Sequence, residues 1–145
     1  RAGFTPQHFA VFHPGGKLGA ALRKARDLMH GPDALPLAGL EAPMTEVVAI
    51  ISKGGFGCAG IVDESGFLKG IITDGDIRRH FSNGAQSKTA AEVMTENPRT
   101  AYPETLAGDI LAYMSKNKIT AIFVIEEDKP VGLVHVHDCL SVGVV

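Results

Sequence analysis

Cysteine is scarce in this chain, with only Cys58 and Cys139 among 145 residues. Both lie inside apolar or periodic segments and neither has metal-ligand spacing, which argues against disulfide staples and against zinc and fits a reducing cytoplasm. No cluster of Lys and Arg is present, and the formal charge is -2. Binding to a phosphate backbone requires concentrated positive charge, so a nucleic-acid surface is not expected. No apolar run approaches the roughly 20 residues that span a bilayer, and the first residues lack a signal-peptide pattern. An initiator methionine is missing at Arg1, from which a fragment of a longer chain is expected. What remains is a small-molecule or protein partner. The 45% of apolar residues suffices for one core or for two closely packed halves.

What the chain does have is a sentence said twice. GIITDGD at Gly70 to Asp76 is echoed by GLVHVHD at Gly132 to Asp138, and DLMH at Asp27 to His30 by EVMT at Glu92 to Thr95. SKGGFGCAGIV from Ser52 pairs with SKNKITAIFVI from Ser115. The offset is 65 positions at the methionines and 62 at the glycines, the mark of a duplication with small insertions. A repeat of this size has too little interior to be stable alone, so the two copies are expected to pack together.

Periodicity predicts the elements. Lys17 to His30 carries apolar residues at helical spacing and is stopped by Gly31-Pro32. Thr45 is a candidate cap for a helix reaching Lys53, with Gly54-Gly55 as its stop. Cys58 to Val62 and Phe67 to Ile72 read as a β-hairpin, followed by a helix capped by Thr73 or Asp74 and running to Phe81. The second copy predicts an extended piece near Arg99 to Tyr102 and a helix capped by Thr105. A hairpin of Ala121 to Ile125 and Pro130 to His135 and a closing helix from His137 to Val142 follow. Each copy is therefore β-α-β-β-α, with Asn83 to Thr89 as the linker. The fold class expected is α/β in the mixed, α+β sense, two such repeats packed with pseudo-twofold symmetry.

The chemistry is concentrated where each hairpin hands over to a helix. In GIITDGD the Thr73 hydroxyl, the Asp76 carboxylate and the free amides of the helix start meet at one spot. Amides and helix dipole favour an anion, while a carboxylate accepts hydrogen bonds from vicinal hydroxyls. Those are the two needs of a ribose phosphate. Arg78 and Arg79 follow within reach of a phosphate or carboxylate. A lone string of this kind reads as an ordinary helix cap with solvated arginines; its duplication changes the odds.

Two β-α-β-β-α units that each end in Gly-x-x-(Thr)-x-x-Asp resemble a tandem pair of CBS domains. The wording is similar to the C-terminal part of the sugar isomerase (SIS) plus CBS family of D-arabinose 5-phosphate isomerases. The strings that carry the likeness are GFTPQHFAVFHPGGKLG at Gly3 to Gly19, DLMH, GIITDGDIRR at Gly70 to Arg79, EVMT and the terminal VHVHDCLSVGVV. The resemblance implies three parts: residues 1–22 as the end of a SIS domain plus linker, 23–84 as the first CBS repeat and 89–145 as the second. It implies a parent enzyme that interconverts D-ribulose 5-phosphate and D-arabinose 5-phosphate, on the way to 3-deoxy-D-manno-octulosonate (Kdo) for lipopolysaccharide or capsule. His13, in the HPGG segment, then matches an active-site histidine of the full-length enzyme. This chain, lacking the SIS phosphate site, is expected to be inactive as an isomerase.

The same resemblance implies a nucleotide ligand and no required cofactor. Thr73 and Asp76 would hold ribose and phosphate. The base would pack at the strand edges Gly57, Cys58, Ala59, Thr120 and Ala121, and charge would come from Arg78, Arg79, Lys53 or Lys116. In the second copy His135 stands in place of the hydroxyl residue while Asp138 is kept. There His135 and His137 would meet an anionic ligand or cover the cleft; without a third ligand they give no metal site. CMP-Kdo or CMP is the ligand suggested by end-product sensing, with AMP or ATP as the rival. A ligand-free structural dimerisation module is the alternative, with a homodimer through the CBS pair, a homotetramer of the full-length enzyme, and Met44 and Val142 to Val145 as interface. A redox switch at Cys58 or Cys139 has little support, because nothing basic adjoins either thiol.

Overall fold

Runs of branched and apolar residues build the strands, nearly continuously buried in the first strand of each hairpin, and the first repeat's sheet is completed by a short strand from the second half. In the computed structural model, which describes residues 17–82, 84 and 87–144, the order is α1 (Lys17–Ala21), α2 (Ala25–Leu28), a short 3-10 turn (Pro32–Ala34), β1 (Leu37–Gly39), α3 (Met44–Gly54), β2 (Cys58–Val62), β3 (Leu68–Thr73) and α4 (Asp74–Phe81). The second half runs α5 (Ala90–Val93), β4 (Thr95–Glu96), β5 (Thr100–Ala101), α6 (Ala107–Asn117), β6 (Ala121–Glu126), β7 (Lys129–His135) and α7 (Val136–Ser141). The β-α-β-β-α grammar therefore appears twice. One sheet has the order β1-β2-β3-β4 and the other β5-β6-β7; in each the first pair is parallel and the hairpin antiparallel.

The opening segments of the two repeats cross over. Ala90 and Val93 of α5 lie in the core of the first sheet with Val47, Ile51, Ala59, Ile61 and Ile72. Ala20 and Ala25 lie in the core of the second with Ile110, Met114, Val124 and Val134. Backbone bonds fix both crossings: Ala90 N donates to Ala42 O, and Ala25 N to Thr105 O. The side chain of Met94 fills the space over Gly70, and Met29 does the same over Gly132, where a Cβ would collide. A third cluster joins the repeats, with Phe123 fully buried against Cys58, Ala121, Leu133 and the half-buried Leu37, Leu68 and Phe56. The Phe123 ring lies against Gly60, its pseudo-symmetric counterpart.

Several sequence expectations need correction. The helix expected from Lys17 to His30 is two short helices broken at Leu22 to Lys24, where Arg23 O turns outward to accept from Ala107 N at 2.6 Å. The next helix starts at Met44 with Pro43, not Thr45, at its N-cap; Pro43 has no amide to satisfy. The Thr105 hydroxyl accepts from Tyr102 N, and Leu106 occupies the cap of α6. Met44 is 2% exposed and belongs to the core, so it offers no interface area. Val144 is likewise fully buried, in the second core. The stop at Gly54-Gly55 is made by Gly55 alone, at φ 75, a left-handed conformation that glycine adopts without strain.

Candidate functional site

Thr73 ends β3 in an extended conformation, and its hydroxyl accepts from Asp76 N at 3.1 Å while Thr73 N donates to Asp76 Oδ2 at 2.9 Å. This reciprocal box satisfies two donors at the start of α4 and fixes the carboxylate in place. Asp76 is 6% exposed, the one buried ionisable side chain among the described core residues apart from the thiols. Its second oxygen takes the guanidinium of Arg79 from the same helix. The Arg79 side chain is itself 68% exposed, a long arm resting on a buried acid. Gly75 lies beneath the guanidinium, where an added Cβ would come within 3.3 Å of Arg79 Nη1.

The corresponding place in the second repeat has the same backbone frame and different chemistry. His135 N donates to Asp138 Oδ2 at 2.7 Å, and His135 Nδ1 accepts from His137 N at 3.2 Å. Where Asp76 meets an arginine, Asp138 meets His30, whose Nε2 lies 3.0 Å from both carboxylate oxygens. His30 arrives from the crossing segment after α2 and is tied to β7 by backbone bonds to Leu133. Phe56 packs against it at 4.7 Å between ring centroids and lies 6.2 Å from His135, which stacks on His137 at 4.9 Å. Burial lowers the His135 pKa, reinforced by His137; Asp138 opposes the shift and His30 adds slightly to it.

The remaining expected residues are placed less directly. Gly57 O accepts from Asp74 N, and Thr120 O from Val136 N, so these paired residues brace the two helix starts. Cys58, Ala59 and Ala121 are buried in the cores. Lys53 and Lys116 occupy equivalent exposed positions in the last turns of α3 and α6, and among the described residues neither they nor Arg78 bond to Thr73, Asp76, His135 or Asp138. His13 lies outside the described residues. Burial pushes the Cys58 thiol up to about 12 and the Cys139 thiol to about 11, aided by Asp74 and Asp138, so both are protonated and poor nucleophiles. Among the described residues no group of three or more His, Cys, Asp or Glu side chains is arranged to hold a metal ion. Nor is any helix there long and apolar enough to cross a membrane.

Sequence reasoning missed His30 and Phe56. The signal was present for His30, which aligns with Thr95 at the end of the DLMH and EVMT strings, yet only the crossing of the segments brings it to Asp138.

The CBS domain model matches residues 25–83 and 90–144. The arabinose 5-phosphate isomerase KdsD of Pseudomonas aeruginosa is 40% identical over 146 residues, covering 98% of this chain and 45% of that protein. KdsD of Escherichia coli K12 is 36% identical, over 99% of this chain and 44% of that one. The chain thus spans less than half the length of these relatives. Among solved structures, the CBS domain pair of protein MJ0100, in complex with 5'-methylthioadenosine and S-adenosyl-L-methionine, superposes with a TM-score of 0.74 at 29% identity, over 83% of this chain and 94% of that one. CBSX2 of Arabidopsis thaliana shares the fold at 15% identity, with a TM-score of 0.72 over 82% of this chain and 92% of that one. Two matched repeats, two sheets and the doubled helix-start frame together make this chain a tandem CBS pair, a member of the CBS domain family.

Proposed function

We propose that the chain is the nucleotide-sensing CBS pair of an arabinose 5-phosphate isomerase, and that its ligand site is built on Thr73, Asp76 and Arg79. The observation that carries this reading is the buried Asp76 held by Thr73 N and capped by the exposed arm of Arg79. A ribose offers two vicinal hydroxyls to the Asp76 oxygens, and the displaced guanidinium is then free to turn to the phosphate. That exchange leaves the carboxylate hydrogen-bonded by hydroxyls and the guanidinium paired with the phosphate, so neither charge is left without a partner group. The Gly75 amide at the start of α4 adds partial positive charge on the same side. Gly57, Cys58, Ala59, Thr120 and Ala121 would border the base through the strand starts, and Lys53, Lys116 and Arg78 would add charge from the rim.

The relatives at 36% and 40% identity support assigning the parent as an arabinose 5-phosphate isomerase; the proposal adds that the parent interconverts D-arabinose 5-phosphate and D-ribulose 5-phosphate with His13 at its active site, and that this chain alone is inactive. In that setting CMP-Kdo, the activated end product, is the ligand to test first. A second reading, an adenosine-containing ligand, is favoured by the methylthioadenosine and S-adenosylmethionine of the MJ0100 pair. A dimer through the CBS pair, a tetramer of the full-length enzyme and a cytoplasmic location complete the proposal. Isothermal titration with CMP-Kdo, CMP and AMP, repeated on Thr73→Ala and Asp76→Ala, tests it. Heat released by CMP-Kdo and lost in both variants supports the sensor; tighter binding of AMP transfers the site to the second reading. A silent titration with all three, with dimerisation intact, leaves a structural module.

A further inference from the structure

The two helix starts share a frame but offer different access to their carboxylates. Asp76 is covered by a side chain that is 68% exposed and attached to its own helix, so the cover can leave. Asp138 is covered by His30, whose side chain is 38% exposed and whose backbone is anchored on β7, with His30 N donating to Leu133 O at 2.9 Å and Leu133 N to His30 O at 3.3 Å. Phe56, His30, His135 and His137 gather their rings beside that carboxylate, which keeps 22% of its side chain exposed against 9% for Asp76, so what sets Asp138 apart is its anchored partner and not deeper burial. The positions equivalent to Arg78 and Arg79 are Leu140 and Ser141, so this helix carries no arginine for a phosphate. The Ser141 hydroxyl is already donated to His137 O at 2.6 Å. The Thr73 hydroxyl has no counterpart either: His135 uses Nδ1 as an acceptor for the helix start, which holds that nitrogen unprotonated. The lowered His135 pKa agrees with a neutral ring.

From this we infer that the pair takes one nucleotide per chain, at the Thr73 half, and that His30 with Phe56 closes the His135 half to a second ribose phosphate. The inference rests on the nucleotide reading above and specifies its stoichiometry and location. The test is calorimetric titration of the 145-residue chain with CMP, AMP and S-adenosyl-L-methionine in separate runs, with imidazole NMR signals followed through the best-binding one. Saturation is expected at one equivalent, with at least a tenfold loss of affinity in Arg79→Ala, an exposed substitution that keeps the fold, and in Thr73→Ala. The ring signals of His30, His135 and His137 are expected to stay in place at saturation. Two equivalents, or movement of those imidazole signals, would overturn the inference while leaving the nucleotide reading intact; one equivalent that persists in both variants would overturn the inference together with the Thr73 site. Absence of heat with all three probes would overturn both.

Discussion

Set side by side, the two helix starts show how a duplicated frame comes to hold unlike chemistry. At both, a strand-ending residue donates its amide to an aspartate three positions later and accepts a helix-start amide on its own side chain, and in both the preceding loop carbonyl, Gly57 or Thr120, accepts the next amide. That frame follows from local spacing and needs nothing from the rest of the chain. The difference lies in the third partner of the aspartate. Asp76 draws it from its own helix, three residues along, whereas Asp138 draws it from a segment 108 residues away. A local partner leaves a surface that a ligand can open; a partner delivered by tertiary packing makes a brace.

The comparison breaks most completely at Phe123, which fills the seam where the first repeat has Gly60. Phe123→Ala should destabilise the chain by about 3–5 kcal/mol, read from urea unfolding, and should loosen both helix starts together because the seam belongs to neither repeat. Next come the glycines under the crossing methionines. Gly70→Ala and Gly132→Ala are each expected to cost about 1–3 kcal/mol through overpacking. Met94→Ala should relieve the first and Met29→Ala the second, with no cross-rescue; additivity in both double-mutant cycles would contradict the crossing.

Smaller effects separate the aspartate partners. His30→Ala should cost about 1 kcal/mol, the scale of one partly exposed hydrogen bond to a charged group, and should release residues ahead of β1 to faster amide exchange. Arg79→Ala should cost about 1 kcal/mol as well, since it strips the charged partner from a buried carboxylate that keeps the Thr73 amide, and should leave those residues protected. Equal exchange in the two variants would remove the distinction between brace and cover. The smallest effect is in pH. Because His135 titrates below its ordinary range when folded, the unfolded chain takes up that proton first as pH falls through about 6.5. Stability from this group is complete above that pH and declines below it until the folded ring also protonates. His135→Gln should flatten the difference in thermal midpoint between pH 7 and pH 5, and an identical slope in both proteins would show that His135 contributes nothing.

Local features were legible in the sequence. Short apolar runs rich in branched residues marked both hairpins, and the three-residue spacing of Thr73 and Asp76 marked the cap, since such signals act over short stretches of chain. The broken helix at Leu22 to Lys24 was hidden because its apolar spacing continues across the break; what ends it is a bond to Ala107, invisible to periodicity. Thr45 falls inside the first turn because the helix begins earlier, with Pro43 O already accepting from Glu46 N and Val47 N. The ring cluster at Asp138 was hidden for the same reason as the broken helix. Phe56 and His30 are unremarkable in their own neighbourhoods and meet only after the opening segments have crossed.

Those crossings also constrain how such a chain can come into being. Met29 sits on the glycine of the other repeat, and so does Met94. A solitary repeat folding by itself would leave its strand glycine bare and its methionine with nowhere to go. Two solitary repeats would complete each other only by interlocking, each lending its leading segment to its twin. Fusion into one polypeptide turns that encounter between molecules into a step within one. It also lets the two clefts, once identical by symmetry, acquire an arginine in one and a histidine in the other.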